Sequence, residues 1–261
     1  MLKKTLSKLL LFVTLTASLL TGCDKENEKI SCQVTSFVGV SDDLTSTSTF
    51  TYDNRKLVKQ SVTYVDNGAT FTIAVNYVYG TNGNVTEMSS GAFKRIFTYN
   101  SSNQVTKSEE FENATPVRQT EYEYTSGRVT KAQHYEYTGT AFTKEEYETL
   151  EYANTSSKNV DKITHYSKNG TVISTTTYEY DNKKAHMADQ SALLKIYVLD
   201  GGPAENNVTK QTTAYPGSTN SEVTTLVYEF NSDSYITKSV ATIVEGPSTY
   251  TNTLTFTYTC N

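Results

Sequence analysis

A short phrase of residues recurs along this chain and limits the folds that the chain can adopt. In "EYEYTSGRVTKAQHYEYT" (121–138), a Tyr-x-Tyr couplet is followed by a small polar turn, a Val-Thr-Lys triplet and a second couplet. Alternating β-branched and aromatic residues on both sides of a Ser- and Gly-containing turn are typical of a β-hairpin. The phrase therefore predicts a strand, a turn and a second strand.

Variants of the triplet recur between residues 57 and 238, mostly after an aromatic couplet and a turn. Self-similarity at this spacing indicates an array of hairpins in which each pairs with its neighbours. The lysine is predicted to share a strand face with its valine and to lie over neighbouring tyrosine rings. The copies are LVK (57–59), VTE (85–87), VTK (105–107 and 129–131), VDK (160–162), VTK (208–210) and ITK (236–238).

Counting extended segments from Ile30 to Cys260 predicts an all-β domain. The expected architecture is a large antiparallel up-and-down meander of about sixteen strands, barrel-like and either closed, flattened or left open as a curved sheet. The strand pattern breaks near 182–206, where "HMADQSALLKIY" and "DGGP" predict one short helical or loop insertion rather than a domain boundary.

The two ends of this meander carry cysteines. An even number of strands places Cys32 and Cys260 at the same rim if the sheet closes. Strict alternation in "TYTNTLTFTYTC" (249–260) puts Cys260 on the apolar face with Phe256, and Cys32 shares a face with Val34. In an oxidising compartment this predicts a disulfide, the alternative being two unpaired buried thiols.

The first 22 residues have the layout of a bacterial secretory signal, with three lysines, a short apolar run and "LTGC". "LTGC" resembles the lipobox of bacterial lipoproteins, which implies cleavage before Cys23 and acylation of that residue. The alternative is an ordinary secretory signal. Residues 23–29 form an acidic tether, and "CDKENE" (23–28) is similar to the signal that exports Bacteroidota lipoproteins to the cell surface. Residues 30–261 form the single β-repeat domain.

The charge balance argues against one class of partner. Removing the signal takes away three lysines and no acidic residue, so the formal net charge changes from −5 to −8. Nucleic-acid binding requires clustered cations that displace counterions from phosphates, and the lysines here are dispersed. We therefore expect no nucleic-acid partner.

The repeats resemble the tyrosine-aspartate (Rhs-type) repeats of secreted bacterial proteins, and "YDN" occurs at 52–54 and 180–182. With its lipobox-like segment, the chain is similar to an uncharacterised family of Bacteroidota lipoproteins with a porin-like fold. That resemblance implies an outer-membrane lipoprotein, on the periplasmic face or exposed at the surface. It implies no active site.

A pore through the bilayer is not expected. A membrane-spanning barrel needs an outward aliphatic band, whereas the middle strands carry glutamates on both faces. Glu121 and Glu123 share one face of their strand, and the glutamates of "TKEEYETLEY" (143–152) cover both faces. Carboxylates at these positions predict a barrel that stands in water.

Three kinds of side chain in this sequence could carry chemistry. His134 and His165 occupy the same slot in two repeats, predicted on strands two apart, which suggests either a weak metal or ligand site or a tolerated surface residue. His186 lies in the insertion without an identifiable partner. Glutamates in a cleft would suit a glycosidase, and tyrosines would suit sugar stacking. We expect no catalytic residue, no cofactor and no metal ligand.

The sequence thus predicts a non-catalytic, lipid-anchored envelope protein that contacts the membrane through Cys23. Its β surface would serve for ligand binding or scaffolding. The alternatives are a glycan-binding or glycan-active lipoprotein that uses tyrosines and carboxylates, and a carrier of a small apolar ligand inside the barrel.

Overall fold

Antiparallel strands close into one barrel in this computed structural model, which describes residues 32–41, 44–66, 68–154, 157–184 and 205–260. Each strand pairs with the strands before and after it, and β16 pairs with β1. The strands are β1 (Cys32–Ser41), β2 (Leu44–Asp53), β3 (Lys56–Asp66), β4 (Ala69–Tyr79), β5 (Val85–Ser90), β6 (Phe93–Tyr99), β7 (Val105–Glu112), β8 (Thr115–Thr125), β9 (Arg128–Tyr137), β10 (Phe142–Glu151), β11 (Lys162–Tyr166), β12 (Val172–Lys184), β13 (Asn206–Ala214), β14 (Ser221–Phe230), β15 (Ile236–Glu245) and β16 (Ser248–Cys260).

The predicted all-β meander of about sixteen strands is confirmed, and among the alternatives the barrel is closed. The described residues contain no helix. The ends of the predicted insertion belong to strands, because β12 continues to Lys184 and β13 begins at Asn206. Residues 185–204 lie outside the described residues. So do the signal segment, Cys23 and the acidic tether.

Cys32 and Cys260 lie opposite each other where β1 pairs with β16, and a disulfide joins them. The predicted bridge is confirmed. We call this end of the barrel the disulfide rim; it also carries the turns that follow each aromatic couplet. The opposite end, with turns such as Gly91–Ala92 and Gly246–Pro247, is called the far rim.

The hairpin turns follow the residues in the repeated phrase. Between β8 and β9, Ser126 and Gly127 both have positive φ, 51° and 81°. Two consecutive positive φ values define the tight two-residue turn whose twist matches that of the flanking strands. Glycine adopts the second conformation without steric cost, so this short polar sequence is sufficient to reverse the chain.

The second feature of each repeat is a hydrogen bond that links it to the one before. A couplet tyrosine donates its hydroxyl proton to the backbone carbonyl of the Val, Leu or Ile that opens the preceding triplet. The hydroxyl is the polar end of a ring that lies against the core. This bond therefore also gives an acceptor to a donor that burial would otherwise leave unsatisfied. The bonds are Tyr79 to Leu57 (2.8 Å), Tyr99 to Val85 (2.6 Å), Tyr124 to Val105 (2.8 Å), Tyr152 to Val129 (2.9 Å), Tyr180 to Val160 (2.6 Å), Tyr228 to Val208 (2.7 Å) and Tyr258 to Ile236 (2.6 Å).

A β-bulge at the couplet moves the triplet lysine to the outer face. In β8 and β9, Tyr124 lies opposite Val129 but Glu123 lies opposite Lys131, so Thr130 is an extra residue. The same slip occurs at the couplets of β2, β4, β6, β12 and β14. Val129 consequently faces inward while Lys131 faces outward. The prediction that lysine and valine share a face is wrong, because simple alternation omits the inserted residue.

The hydrophobic core fills the barrel near the disulfide rim. Val34, Leu57 and Ile236 are 0% exposed, and the Phe37 ring lies 5.6 Å from Phe50 and 5.7 Å from Phe256 between centroids. Each such side chain contributes about 1.5–3 kcal/mol of hydrophobic stabilisation. The inward positions farther from this rim are mixed. Their buried polar members include Ser46, Gln60, Ser108, Thr120 and Asn252, and their buried apolar members include Leu44, Val62 and Leu226.

Candidate functional site

The strands β9, β10 and β11 bring two histidines and a glutamate together inside the barrel. Glu148 lies opposite His165 across one pairing and opposite Ala132 across the other. His165 uses both ring nitrogens, with Nδ1 3.2 Å from Glu148 Oε1 and Nε2 2.8 Å from Glu146 Oε2. His134 Nε2 is 3.9 Å from Glu148 Oε1. We call these four residues the lumen cluster.

The proton affinities in this cluster follow from the pairing. Hydrogen bonding to Glu148 raises the pKa of His165 to about 9, against the opposing effect of burial and with help from Glu146. Burial pushes the pKa of Glu148 upward, but its contacts with the two histidines outweigh that effect and lower it to about 2. At neutral pH, Glu148 and His165 therefore form an ion pair.

The two histidines were predicted on strands two apart, and this placement is confirmed. The interpretation of them as tolerated surface residues is wrong, because both side chains point into the barrel, where His134 lies opposite buried Thr120. The described residues hold no group of three or more His, Cys, Asp or Glu side chains arranged to bind a metal. Charge-assisted hydrogen bonds from His165 join β11 to β10 within the cluster, and His134 of β9 lies beside the same Glu148 carboxylate without a hydrogen bond to it. His186 lies outside the described residues.

A second polar group lies on the neighbouring strands of the interior. Arg95 donates hydrogen bonds to the Tyr122 hydroxyl at 3.0 Å and to Ser108 Oγ at 3.3 Å, and its Nε is 3.7 Å from Glu110. Arg95 and Glu110 are opposite one another on β6 and β7. Together with the lumen cluster, this group makes the middle of the barrel interior polar and cross-linked.

A cavity of about 480 Å³ lies at the far rim, between the β13–β14 connection and the β15–β16 turn. Glu222 and Glu245 lie directly opposite each other on β14 and β15, and Tyr215 and Tyr250 contribute rings to the lining. Burial raises the pKa of Glu222, and the neighbouring carboxylate of Glu245 raises it further. We call this the far-rim cavity. A carrier of an apolar ligand would need a closed apolar cavity. The far-rim cavity is open and has a largely polar lining, so it does not match that alternative.

The outer wall carries ion pairs between neighbouring strands. In four repeats the lysine at the end of the triplet pairs with a glutamate of the preceding strand. These side chains are partly exposed, with Glu123 64% and Lys131 30% accessible. The pairs are Lys131–Glu123 (2.7 Å), Lys162–Glu151 (2.6 Å), Lys210–Glu179 (2.9 Å) and Lys238–Glu229 (2.9 Å).

Sequence reasoning missed Glu148 as the link between the histidines and missed the pairing of Glu222 with Glu245. A signal for Glu148 existed, because "TKEEYETLEY" lies between the two histidine-containing repeats and so supplies the intervening strand. No signal pointed to Glu222 and Glu245, since their juxtaposition depends on the exact register of β14 against β15.

Comparison with solved structures identifies the architecture. The chain superposes on a porin-like protein from Bacteroides uniformis with a TM-score of 0.62 and 15% sequence identity, covering 87% of this chain and 98% of that one. The fold is porin-like. A porin-like protein from Bacteroides vulgatus also matches, with a TM-score of 0.47, 11% identity and coverage of 87% and 98%. The porin-like fold implied by the resemblance is thereby confirmed, while the lipoprotein and tyrosine-aspartate repeat relationships stay predictions.

No protein-family model and no curated protein matches this chain. Among the described residues, no helix has the length and apolar character required to cross a membrane.

Proposed function

We propose that this chain is a non-catalytic, lipid-anchored envelope protein whose porin-like barrel stands in water and offers its far rim for ligand binding. The observation that carries the proposal is the ionic outer wall. A barrel embedded in a bilayer presents an apolar band, and a lysine or arginine on its lipid-facing side costs up to about 2–4 kcal/mol, the cost being largest at the midplane. Here Lys131, Lys210 and Lys238 point outward, each beside a glutamate.

The interior supports the same proposal. A porin conducts through a continuous water-filled lumen, whereas Val34, Leu57 and Ile236 fill this barrel near the disulfide rim and are 0% exposed. With that end packed, a ligand would have to approach from the far rim. A binding role therefore fits this barrel better than a conducting one.

The anchor would attach at the packed end. Cys23 precedes Cys32, the first described residue of β1, by nine positions, and Cys32 lies on the disulfide rim. Acylation of Cys23, predicted from "LTGC", would hold the disulfide rim toward the lipid and turn the far rim away from it. Several acyl chains are required for stable attachment because one chain binds only marginally.

The repeated tyrosines lend little support to the glycan alternative. Seven couplet tyrosines donate hydrogen bonds to backbone carbonyls of the preceding repeat, and they lie against the core. Their abundance is explained by the repeat architecture and does not require a sugar ligand.

Fractionation of cells that express the full chain tests the proposal. Cys23→Ala should release the protein into the soluble fraction without detergent, with its β-sheet circular dichroism intact. The double variant Cys32→Ala/Cys260→Ala, which also replaces cysteines but leaves Cys23 in place, should remain with the membrane. Retention of Cys23→Ala in carbonate-washed membranes would contradict both the anchor and the water-exposed barrel.

A further inference from the structure

The far-rim cavity contains a pair of carboxylates, and no ion pair among the described residues neutralises them. Glu222 and Glu245 are directly opposite across β14 and β15, where side chains on one face have Cβ atoms about 5 Å apart. Both point inward, since Glu222 alternates with buried Thr224 and Leu226 on the same strand. Among the described residues that line the cavity there is no lysine or arginine.

This pair differs from the other cross-strand glutamates of the barrel. Glu123, Glu179 and Glu229 each have a lysine within 2.9 Å or less on the neighbouring strand. Like charges placed directly opposite in a sheet are destabilising. Burial and the Glu245 carboxylate accordingly raise the pKa of Glu222. A cation in the cavity would relieve this repulsion.

The remaining walls favour an organic cation. Tyr215 and Tyr250 line the cavity and are 44% and 40% exposed, so their rings are accessible to a ligand. An ammonium group gains attraction from the face of an aromatic ring and donates hydrogen bonds to carboxylates. A bare divalent metal ion needs more oxygen ligands than two carboxylates, and the described residues hold no metal-binding group of three acidic, histidine or cysteine side chains.

We propose that the far-rim cavity binds a small molecule bearing a protonated primary amine, with the ammonium held between Glu222 and Glu245 and the carbon skeleton against Tyr215 and Tyr250. The amine would neutralise these glutamates as lysine neutralises the glutamates of the outer wall. This inference rests on the proposed function in one respect, namely that the far rim is exposed to water.

Titration calorimetry on the full chain carrying Cys23→Ala tests the site at physiological salt. Diaminobutane is the probe, and butanediol is its uncharged analogue. We expect saturable binding of one diaminobutane and no binding of butanediol. Glu222→Gln and Glu245→Gln should each weaken the affinity by about tenfold, the equivalent of about 1.4 kcal/mol. Glu229→Gln, which removes one negative charge from the outer wall, should leave the affinity unchanged.

A pair of substitutions at Tyr250 tests whether its aromatic ring contributes to amine binding. Tyr250→Leu should weaken diaminobutane binding, and Tyr250→Phe, which retains the ring, should restore it. Equal binding of the two probes, or an affinity insensitive to both glutamine variants, would overturn the proposal. Calcium binding that depends on Glu222 and Glu245 without any amine binding would also overturn it. If Cys23→Ala stays in the membrane, the proposed function fails while the same titration in detergent still tests the cavity.

Discussion

At the scale of single residues, one tyrosine hydroxyl per repeat connects successive hairpins. The hydroxyl of Tyr124 reaches the Val105 carbonyl at 2.8 Å, and six other couplet tyrosines make the equivalent bond. Tyr52 is the exception: its buried hydroxyl has no hydrogen-bond partner among the described residues. Tyr52 is therefore an internal control for the stability that the hydroxyl hydrogen bond of Tyr124 contributes.

We predict that Tyr124→Phe lowers the free energy of unfolding by about 1–2 kcal/mol, because it leaves the Val105 carbonyl without its partner. Tyr52→Phe, the matched control, should leave stability unchanged or slightly raised, since it removes an unsatisfied buried hydroxyl. Urea denaturation followed by circular dichroism measures both. Equal losses in the two variants would show that the hydroxyl bond is not what stabilises the repeat.

The His165–Glu148 pair predicts a pH dependence of stability. The pKa of His165 is about 9 in the folded chain, against 6.5 for an ordinary histidine. The stabilisation of the fold by the protonated histidine is therefore complete below about pH 6.5 and is lost as pH rises through about 9. We expect His165→Gln to cost about 1–2 kcal/mol more at about pH 6 than at about pH 10, a value reduced by partial exposure to water.

The control for that measurement is Thr176→Val. Thr176 hydrogen-bonds Thr213 at 3.0 Å on the neighbouring strands and does not titrate. Its effect should be the same at both pH values. A cost of His165→Gln that does not vary with pH would argue against the charged pair.

At the scale of the strand, the bulge is the device that separates the two faces. It places the valine of the triplet in the core and the lysine two positions later on the outer wall. Alternation in the sequence predicts strands, turns and the apolar face of β16, but it has a period of two and carries no record of an inserted residue. This is why the lysine face was mispredicted while the strands themselves were correct.

Deletion of Thr130 tests the bulge directly. Deletion makes Val129 and Lys131 consecutive, and strict alternation then keeps the valine inward and the lysine outward opposite their present partners. We therefore predict that this variant keeps both faces and loses less than about 1 kcal/mol of unfolding free energy. Thr130→Ala retains the bulge and removes only long hydrogen bonds at 3.3–3.4 Å, so it should cost less than about 1 kcal/mol. Thermal unfolding compares them, and a loss of about 3 kcal/mol or more in the deletion variant alone would show that the bulge does more than set the two faces.

At the scale of the whole molecule, the closed sheet has a packed end and a polar end. The repeats, the even strand count and the faces of the two cysteines are local or countable features, so the meander and the Cys32–Cys260 bridge could be predicted from sequence. Closure was one of three predicted alternatives, because local patterns do not determine whether a sheet of this size closes. The lumen cluster was partly predictable, because the slots of His134 and His165 repeat. The far-rim cavity was not, since it depends on how two hairpins lie beside each other once the barrel is closed.

The Cys32–Cys260 bond has a topological consequence. It links the two ends of the strand order, so the covalent structure runs around the whole barrel as a ring and the seam between β16 and β1 is equivalent to a hairpin connection. A ring has no intrinsic starting point. Opening it at a far-rim turn such as Asn113–Ala114, with a peptide linker replacing the disulfide, would leave every strand between its present neighbours. What the repeats encode is therefore a circular order of strands, in which the seam between β16 and β1 is one of several equivalent places to interrupt the chain.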